Sequence, residues 1–306
     1  MPTIESQADV RTAPQLPLTT TLGPVRLAVT ARDAALGIWR DTVGLQLLSE
    51  DGNLLRLGAG GRVLIELETG ARRPVVRNTT GLYHVAIHVP TRADLAQLLV
   101  RAVQRGVQAS PTDHLVSEAI YLWDADGNGI EITFETPWRG RIGEPDEGLY
   151  VHAADGRPHS GREPIDVDGL LAELGPAPVL EGTVPDGVRI GHVHVHVNDL
   201  EQAMRFYRDG IGFGGLFIMR NWGMGDVGLD YMPHAIAFNI WAGRGAHPAP
   251  ADAAGLRWFT INVPDAQTLA GVRQRLAALG VAVDDVDRGI EVRDPSQNLV
   301  QVLVGG

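Results

Sequence analysis

Apolar positions along the chain follow two periods, and the order in which these periods succeed one another repeats. Residues 23–30 (GPVRLAVT) and 191–198 (GHVHVHVN) alternate at every second position, the spacing of a strand with one buried face. Each leads into a stretch of helical spacing broken by glycine, AALGIWRDTVGL at 34–45 and EQAMRFYRDGIGF at 201–213. Glycine-punctuated strands follow, ending on VLIEL (63–67) and HAIAFNIW (234–241). A second pair matches better still. Strands LYHVAIHVP (82–90) and LRWFTINVP (256–264) precede helices LAQLLVRAVQRGV (95–107) and LAGVRQRLAALGV (269–281). Both close on a strand, a turn and a strand, YLWDADGNGIEI (121–132) and IEVRDPSQNLVQV (290–302).

The chain therefore reads as an α+β protein of four βαβββ modules. We expect a disordered or extended tail over residues 1–20 and a first domain of modules 1 and 2 over 21–137. A linker follows over 138–187, rich in Pro, Gly and acidic residues around a short helix (VDGLLAEL, 167–174). The second domain, modules 3 and 4, takes 188–306.

Composition narrows the chemistry. Hydrophobic residues make up 44% and charged residues 21% of the 306, an ordinary globular balance. The net charge of −11 argues against nucleic acid and anionic lipid as partners. With no Cys there are no disulfides, thiolate nucleophiles or cysteine metal ligands, so any metal must rest on His and carboxylate. The N-terminus lacks the basic start and apolar core of a signal peptide, and no apolar run approaches roughly 18 residues. A cytoplasmic location is the expectation.

Histidines sit where such a site could form. His192, His194 and His196 share one strand face, and His84 and His88 share another. A lone strand histidine is more often a hydrogen-bonded core or surface residue. Two at matching positions of duplicated modules, with Glu131 in the apolar strand after the DADGNG turn, shift the balance. Burying Glu131 as an unpaired anion would be costly, whereas a divalent cation would stabilise it. Two imidazoles and one carboxylate on one face of a metal is the donor set of non-haem Fe(II) oxygenases.

The segments GLYHVAIHVP, DHLVSEAIYLWDADGNGIEI and GHVHVHVNDLEQAMRFY resemble the vicinal oxygen chelate superfamily. Within it they look like two-domain extradiol ring-cleaving dioxygenases of the catechol 2,3-dioxygenase type, over roughly residues 22–306. The resemblance implies modules pairing into two open, cup-shaped, barrel-like domains. It implies Fe(II), with Mn(II) as the alternative ion, held by His84, Glu131 and His192. His234 would be the acid–base residue, Tyr121 a hydrogen-bond partner of the substrate, and His114 a further assisting histidine. The implied partners are a small aromatic diol and O2, and a homo-oligomer is allowed. Glyoxalase-like isomerases and thiol transferases share the module, and a non-catalytic aromatic-binding protein is a further reading.

The chain departs from the family pattern in an informative way. Module 4 carries Trp258 and Gln301, and module 1 carries Pro24, where ligands would stand. The three ligands meet only if module 2 packs against module 3, within one chain or between two. The alternative is that water, His88 or His114 completes a site from His84 and Glu131. His88, His194 and His196 are open between supporting the ligands and filling the core, and His152, His159 and His247 are expected in solvent. Trp222, Met224, Phe238 and Trp241 are candidates for an apolar wall or for core.

Overall fold

The computed structural model describes residues 11–142, 151–175, 182–230 and 232–305. Module 1 comprises β1 (Thr21–Val29), α1 (Arg32–Trp39), β2 (Gln46–Asp51), β3 (Leu54–Ala59) and β4 (Arg62–Thr69). Module 2 comprises β5 (Thr79–His88), α2 (Arg92–Gln104), β6 (Ser110–Asp113), β7 (Ser117–Trp123) and β8 (Gly129–Glu135). Between the halves lie β9 (Gly140–Ile142), β10 (Val151–Ala153) and α3 (Val167–Ala172). Module 3 follows as β11 (Arg189–His196), α4 (Leu200–Met204), β12 (Gly214–Met219), β13 (Met224–Leu229) and β14 (Met232–Asn239). After the short β15 (His247–Pro248), module 4 is β16 (Gly255–Val263), α5 (Ala266–Ala278), β17 (Asp284–Val286), β18 (Gly289–Arg293) and β19 (Leu299–Val304).

The fold is mixed α+β, with two open, curved sheets rather than closed barrels. One runs β17-β18-β19-β16-β1-β4-β3-β2, and the other β12-β13-β14-β11-β5-β8-β7-β6. In each, the opening strands of two modules pair antiparallel at the centre, β1 with β16 and β5 with β11. Each sheet thus takes one module from either side of the 138–187 boundary drawn on the sequence: modules 1 and 4 form one, modules 2 and 3 the other. Within one chain, then, module 2 does lie against module 3.

Two helices begin about three residues before the apolar pattern suggests, because their caps lie upstream of the first buried side chain. Thr91 and Asp94 form a reciprocal capping box at α2, and Asp265 accepts from Thr268 N at α5. Asp199 caps α4 in the same way. The single helix expected at 201–213 is instead α4 followed by π-helical turns over Arg205–Ile211. Residues 1–10 of the expected tail lie outside the described residues. Residues 11–20 are docked on module 3: Thr12 N donates to Gly215 O, Leu16 N donates to Gly212 O, and Leu16 is buried. No helix among the described residues is long and apolar enough to cross a membrane.

Consecutive modules are joined across the two sheets by a duplicated turn. Asp124 Oδ1 accepts from the backbone N–H groups of Asp126 (3.0 Å) and Asn128 (2.8 Å). Its Oδ2 accepts from Asn128 Nδ2 (2.8 Å) and from Trp39 Nε1 on α1 (3.2 Å). Asp294 repeats the pattern with Ser296 N (2.8 Å), Asn298 N (2.9 Å), Asn298 Nδ2 (2.9 Å) and the Tyr207 hydroxyl (2.9 Å). Asn298 Nδ2 also reaches the carbonyl of His196, the last residue of β11 (3.2 Å). Both aspartates are buried, and burial pushes both carboxyls up even though four donors surround each.

Removing the Tyr207 hydroxyl should therefore expose how much this tie holds. Tyr207→Phe leaves a buried carboxylate one donor short and should lower stability by about 1–3 kcal/mol. Chemical denaturation checks it, and an unchanged midpoint with an unchanged slope would remove the hydroxyl from the account.

Candidate metal centre

The register of three neighbouring strands assembles the site. On β5, Ala86 lies beside Glu131 of β8 on one side and opposite His192 of β11 on the other. Glu131, Ala86 and His192 form one row, and His84 stands two residues back on the same strand face. Ala86 is fully buried and offers only a methyl group, so the two longer side chains can converge above it. His84 Nε2 and Glu131 Oε2 are 2.9 Å apart, His192 Nε2 and Glu131 Oε2 are 3.0 Å apart, and the two Nε2 atoms are 3.0 Å apart. All three residues are buried, at 4%, 3% and 4% exposure for His84, Glu131 and His192.

This triangle fits a metal ion. Donors about 2.1 Å from a common ion stand about 3.0 Å apart when adjacent in an octahedron and about 3.4 Å apart in a tetrahedron. The edges here match neighbouring donors on one octahedral face of a metal ion. The protonation state of Glu131 suits it too. Burial alone would raise the Glu131 carboxyl, but His192 and His84 outweigh it and hold it well below the usual carboxylate range. The second oxygen, Glu131 Oε1, accepts from Thr133 Oγ1 at 3.0 Å, which fixes the carboxylate's rotation.

Around the triangle stand the other expected residues. Tyr121 on β7 lies directly across from Glu131. Its hydroxyl is 2.9 Å from His114 Nε2, and His114 Nδ1 is 2.7 Å from Gly161 O. A carbonyl only accepts, so Nδ1 carries the proton, and Nε2 accepts from the Tyr121 hydroxyl. Burial lowers the His114 pKa and raises that of Tyr121 well above its ordinary value, so both stay neutral near pH 7. The His234 ring centroid lies 4.3 Å from that of His192, and its Nδ1 is hydrogen-bonded to Asp226 Oδ2. Asp226 is fully buried, and burial pushes its carboxyl up to about 6 against the opposing pull of His234. Burial acts to lower the His234 pKa, but Asp226 overrides this and raises it.

The remaining histidines divide. His194 Nε2 accepts from Asn239 Nδ2 (2.8 Å), and His196 Nδ1 donates to Asn239 Oδ1 (2.7 Å), so one asparagine orients both rings. His88 packs against Gly191, where an added Cβ would lie 1.8 Å from the ring. Its Nδ1 is 3.4 Å from Glu135. His247 is exposed as expected. His159 is not in solvent: its side chain is 9% exposed and lies 3.8 Å from Asp113, because the 159–163 segment docks on β6. His152 is likewise half-buried. Phe238 and Met224 are core, Trp222 is exposed, and Trp241 stands 5.6 Å from His194. Trp258 lies under Arg26, and Gln301 donates to Glu291, both in the other sheet.

Several contributors escaped the sequence reading. Thr133 had a signal, since it is two residues from Glu131 on the same face. Tyr83 had none, because strict alternation sends it away from His84. An irregularity in the β5–β11 register between His194 and Val195 re-aims it, and its ring lies 4.9 Å from those of both His84 and His194.

Residues 189–302 match the family model for the Glyoxalase/Bleomycin resistance protein/Dioxygenase superfamily. A Bacillus subtilis (strain 168) protein named catechol-2,3-dioxygenase is 36% identical over 282 residues, covering 90% of this chain and 94% of that protein. The chain belongs to this superfamily. Among solved structures, maize glyoxalase I superposes with a TM-score of 0.58 at 14% identity, over 94% of this chain and 92% of that one. A Bacillus subtilis structure assigned provisionally as a dioxygenase gives 0.60 at 14% identity, over 93% and 85%. At these identities the structural likeness speaks for the fold. The superfamily match spans modules 3 and 4, which lie in different sheets, while the Bacillus relative covers nearly the whole chain.

The hydrogen bonds around His114 make a direct prediction. Its 15N resonances should report the neutral Nδ1–H tautomer from pH 8 down past the ordinary imidazole range, because a lowered pKa delays protonation as pH falls. Protonation at about pH 6.5 would remove burial as the controlling influence.

Proposed function

We propose that the chain is an Fe(II)-dependent extradiol dioxygenase, cleaving a catechol-like aromatic diol with O2 at the bond beside the diol. Mn(II) is the alternative ion. The observation that carries this reading is the buried triangle of His84, Glu131 and His192, with edges of 2.9–3.0 Å. The activity named for the Bacillus relative supports it.

His84, Glu131 and His192 would hold the ion. When bound, it would supply a Lewis acid that acidifies the diol and an electron relay between ring and dioxygen. His234 stands at the rim of the triangle, and Asp226 raises its basicity, so it is suited to take a proton from a diol oxygen and return it later. Asp226 also fixes which His234 nitrogen is free, by holding Nδ1. Tyr121, with its proton directed to His114, keeps oxygen lone pairs available to a substrate hydroxyl. Tyr83 adds aromatic surface, its ring 4.9 Å from that of His84. The ring-opened product would be a semialdehyde.

Protein purified without oxygen should contain stoichiometric iron or manganese. A panel of catechols should turn yellow only when oxygen is admitted. Metal-free protein that fails to bind added Fe(II), or full occupancy without oxygen uptake for any diol, would overturn the reading. Glu131→Ala should lose the metal while retaining the fold, since two imidazoles alone bind Fe(II) weakly. Metal analysis beside a thermal melt tests this, and a folded variant with full iron would take Glu131 out of the ligand set. His234→Ala should keep its metal and bind diol, yet turn over about 10²–10⁴-fold more slowly. An unchanged turnover across pH would exclude His234 as the proton carrier.

A further inference from the structure

A cleft lies outside the triangle, at the end of the molecule where the two sheets meet. It measures about 660 Å3 and is bounded by the start of β5, the end of β11 and the starts of β16 and β19. This is the size range of small-molecule sites. None of His84, Glu131, His192, His114, Tyr121 or His234 lines it. Tyr83 forms part of its wall and lies between it and the metal centre, with its ring 4.9 Å from His84.

The lining is chemically one-sided. Arg77, Arg257 and Arg293 face the cleft, and among the described residues no Asp or Glu does, in a chain of net charge −11. Arg257 is partly committed, donating to the carbonyls of Ala251 (3.3 Å) and Ala253 (3.0 Å) with Glu68 3.8 Å away. Arg293 donates to Gln297 O within its own turn (2.9 Å), and neither it nor Arg77 has a carboxylate partner among the described residues. Arg77 and Arg293 thus bring positive charge to the cleft with no carboxylate partner among the described residues, which favours an anion there. The same walls hold Trp123 and Trp241, which stay 46% and 45% exposed, together with Tyr83. Exposed tryptophans at the edge of a concave surface mark a place where a planar apolar group can be received.

We propose that this cleft binds a small aromatic carboxylate, its ring against the tryptophans and its carboxylate between Arg77 and Arg293. An inorganic anion would leave the aromatic surface unused, and a neutral arene would leave the guanidinium groups unpaired. The proposal does not depend on the ring-cleavage reading, because the two sites share only a wall.

Benzoate titrated into the full-length protein, followed by tryptophan fluorescence and by calorimetry, tests it. Saturable binding at one site is expected, with acetate, benzyl alcohol and inorganic phosphate each at least about tenfold weaker. The double variant Arg77→Gln/Arg293→Gln should weaken benzoate by about tenfold or more. Both side chains are exposed, so its thermal melt should match the parent; if it does not, Arg293→Gln alone should still weaken benzoate. Glu131→Gln should leave benzoate affinity unchanged. Binding that survives the arginine substitutions, disappears in Glu131→Gln, or is matched by benzyl alcohol or phosphate would overturn the proposal, as would the absence of saturable binding. Oxygen uptake with catechols is read separately, so either idea can fail alone.

Discussion

A carboxylate with almost no exposed surface has to be neutralised where it lies, and Glu131 sets that condition for the whole molecule. Its own module supplies only His84. The second imidazole, His192, comes from the other half of the chain, so the β5–β11 seam has to form before the anion is tolerated. Modules 2 and 3 then share a sheet. Modules 1 and 4 are left with their opening strands unpaired and meet along β1 and β16. The same seam puts Ala86 beneath the converging donors and Thr133 against the outer carboxylate oxygen, so strand register and site electrostatics are one requirement.

Crossing the halves in this way would separate modules adjacent in sequence, were it not for the two aspartate turns. Each gathers two backbone N–H groups, an asparagine amide and an aromatic donor from the preceding module's helix. The two copies are alike donor for donor, with Trp39 at one and Tyr207 at the other. The turn is thus present in both halves, whereas the candidate donors are divided between them, His84 and Glu131 in one and His192 in the other. In the other sheet, Trp258 makes a cation–π contact with Arg26, and Gln301 a hydrogen bond to Glu291.

What could be read from the chain follows from what repeats at fixed spacing. Four modules, same-face histidines and Glu131 are all short-range patterns, and each strand expected from alternation is present with ends within four residues. The limits of the reading are equally physical. The apolar pattern marks only the first buried side chain of a helix, whereas Thr91 and Asp265 begin α2 and α5 about three residues earlier by satisfying backbone donors. Tyr83 depends on a register irregularity, which alternation has no means to express. Asp226 looks like any strand acid until β13 pairs with β14 and carries it, fully buried, to His234. The turn to π-helical geometry over Arg205–Ile211 likewise leaves no mark on the apolar pattern.

The linker shows most clearly how connection and chemistry are joined. On the sequence it is only a spacer long enough to let module 3 reach module 2. In space, its 159–163 segment lies antiparallel against the end of β6, with Asp113 N donating to Glu163 O (2.7 Å) and Glu163 N donating to Asp113 O (2.9 Å). Arg139 clamps the Asp113 carboxylate at 2.6 Å and 3.0 Å, fixing the strand end that carries His114. Gly161 follows the chain round with φ +77, a conformation that most side chains adopt only at a cost, and thereby turns its carbonyl onto His114 Nδ1. That single acceptor decides the tautomer of His114, which decides the direction of the Tyr121 hydroxyl, which decides which oxygen lone pairs face the space beside Glu131. The segment that allows the two modules to meet thus also sets the hydrogen-bond polarity of the site their meeting creates.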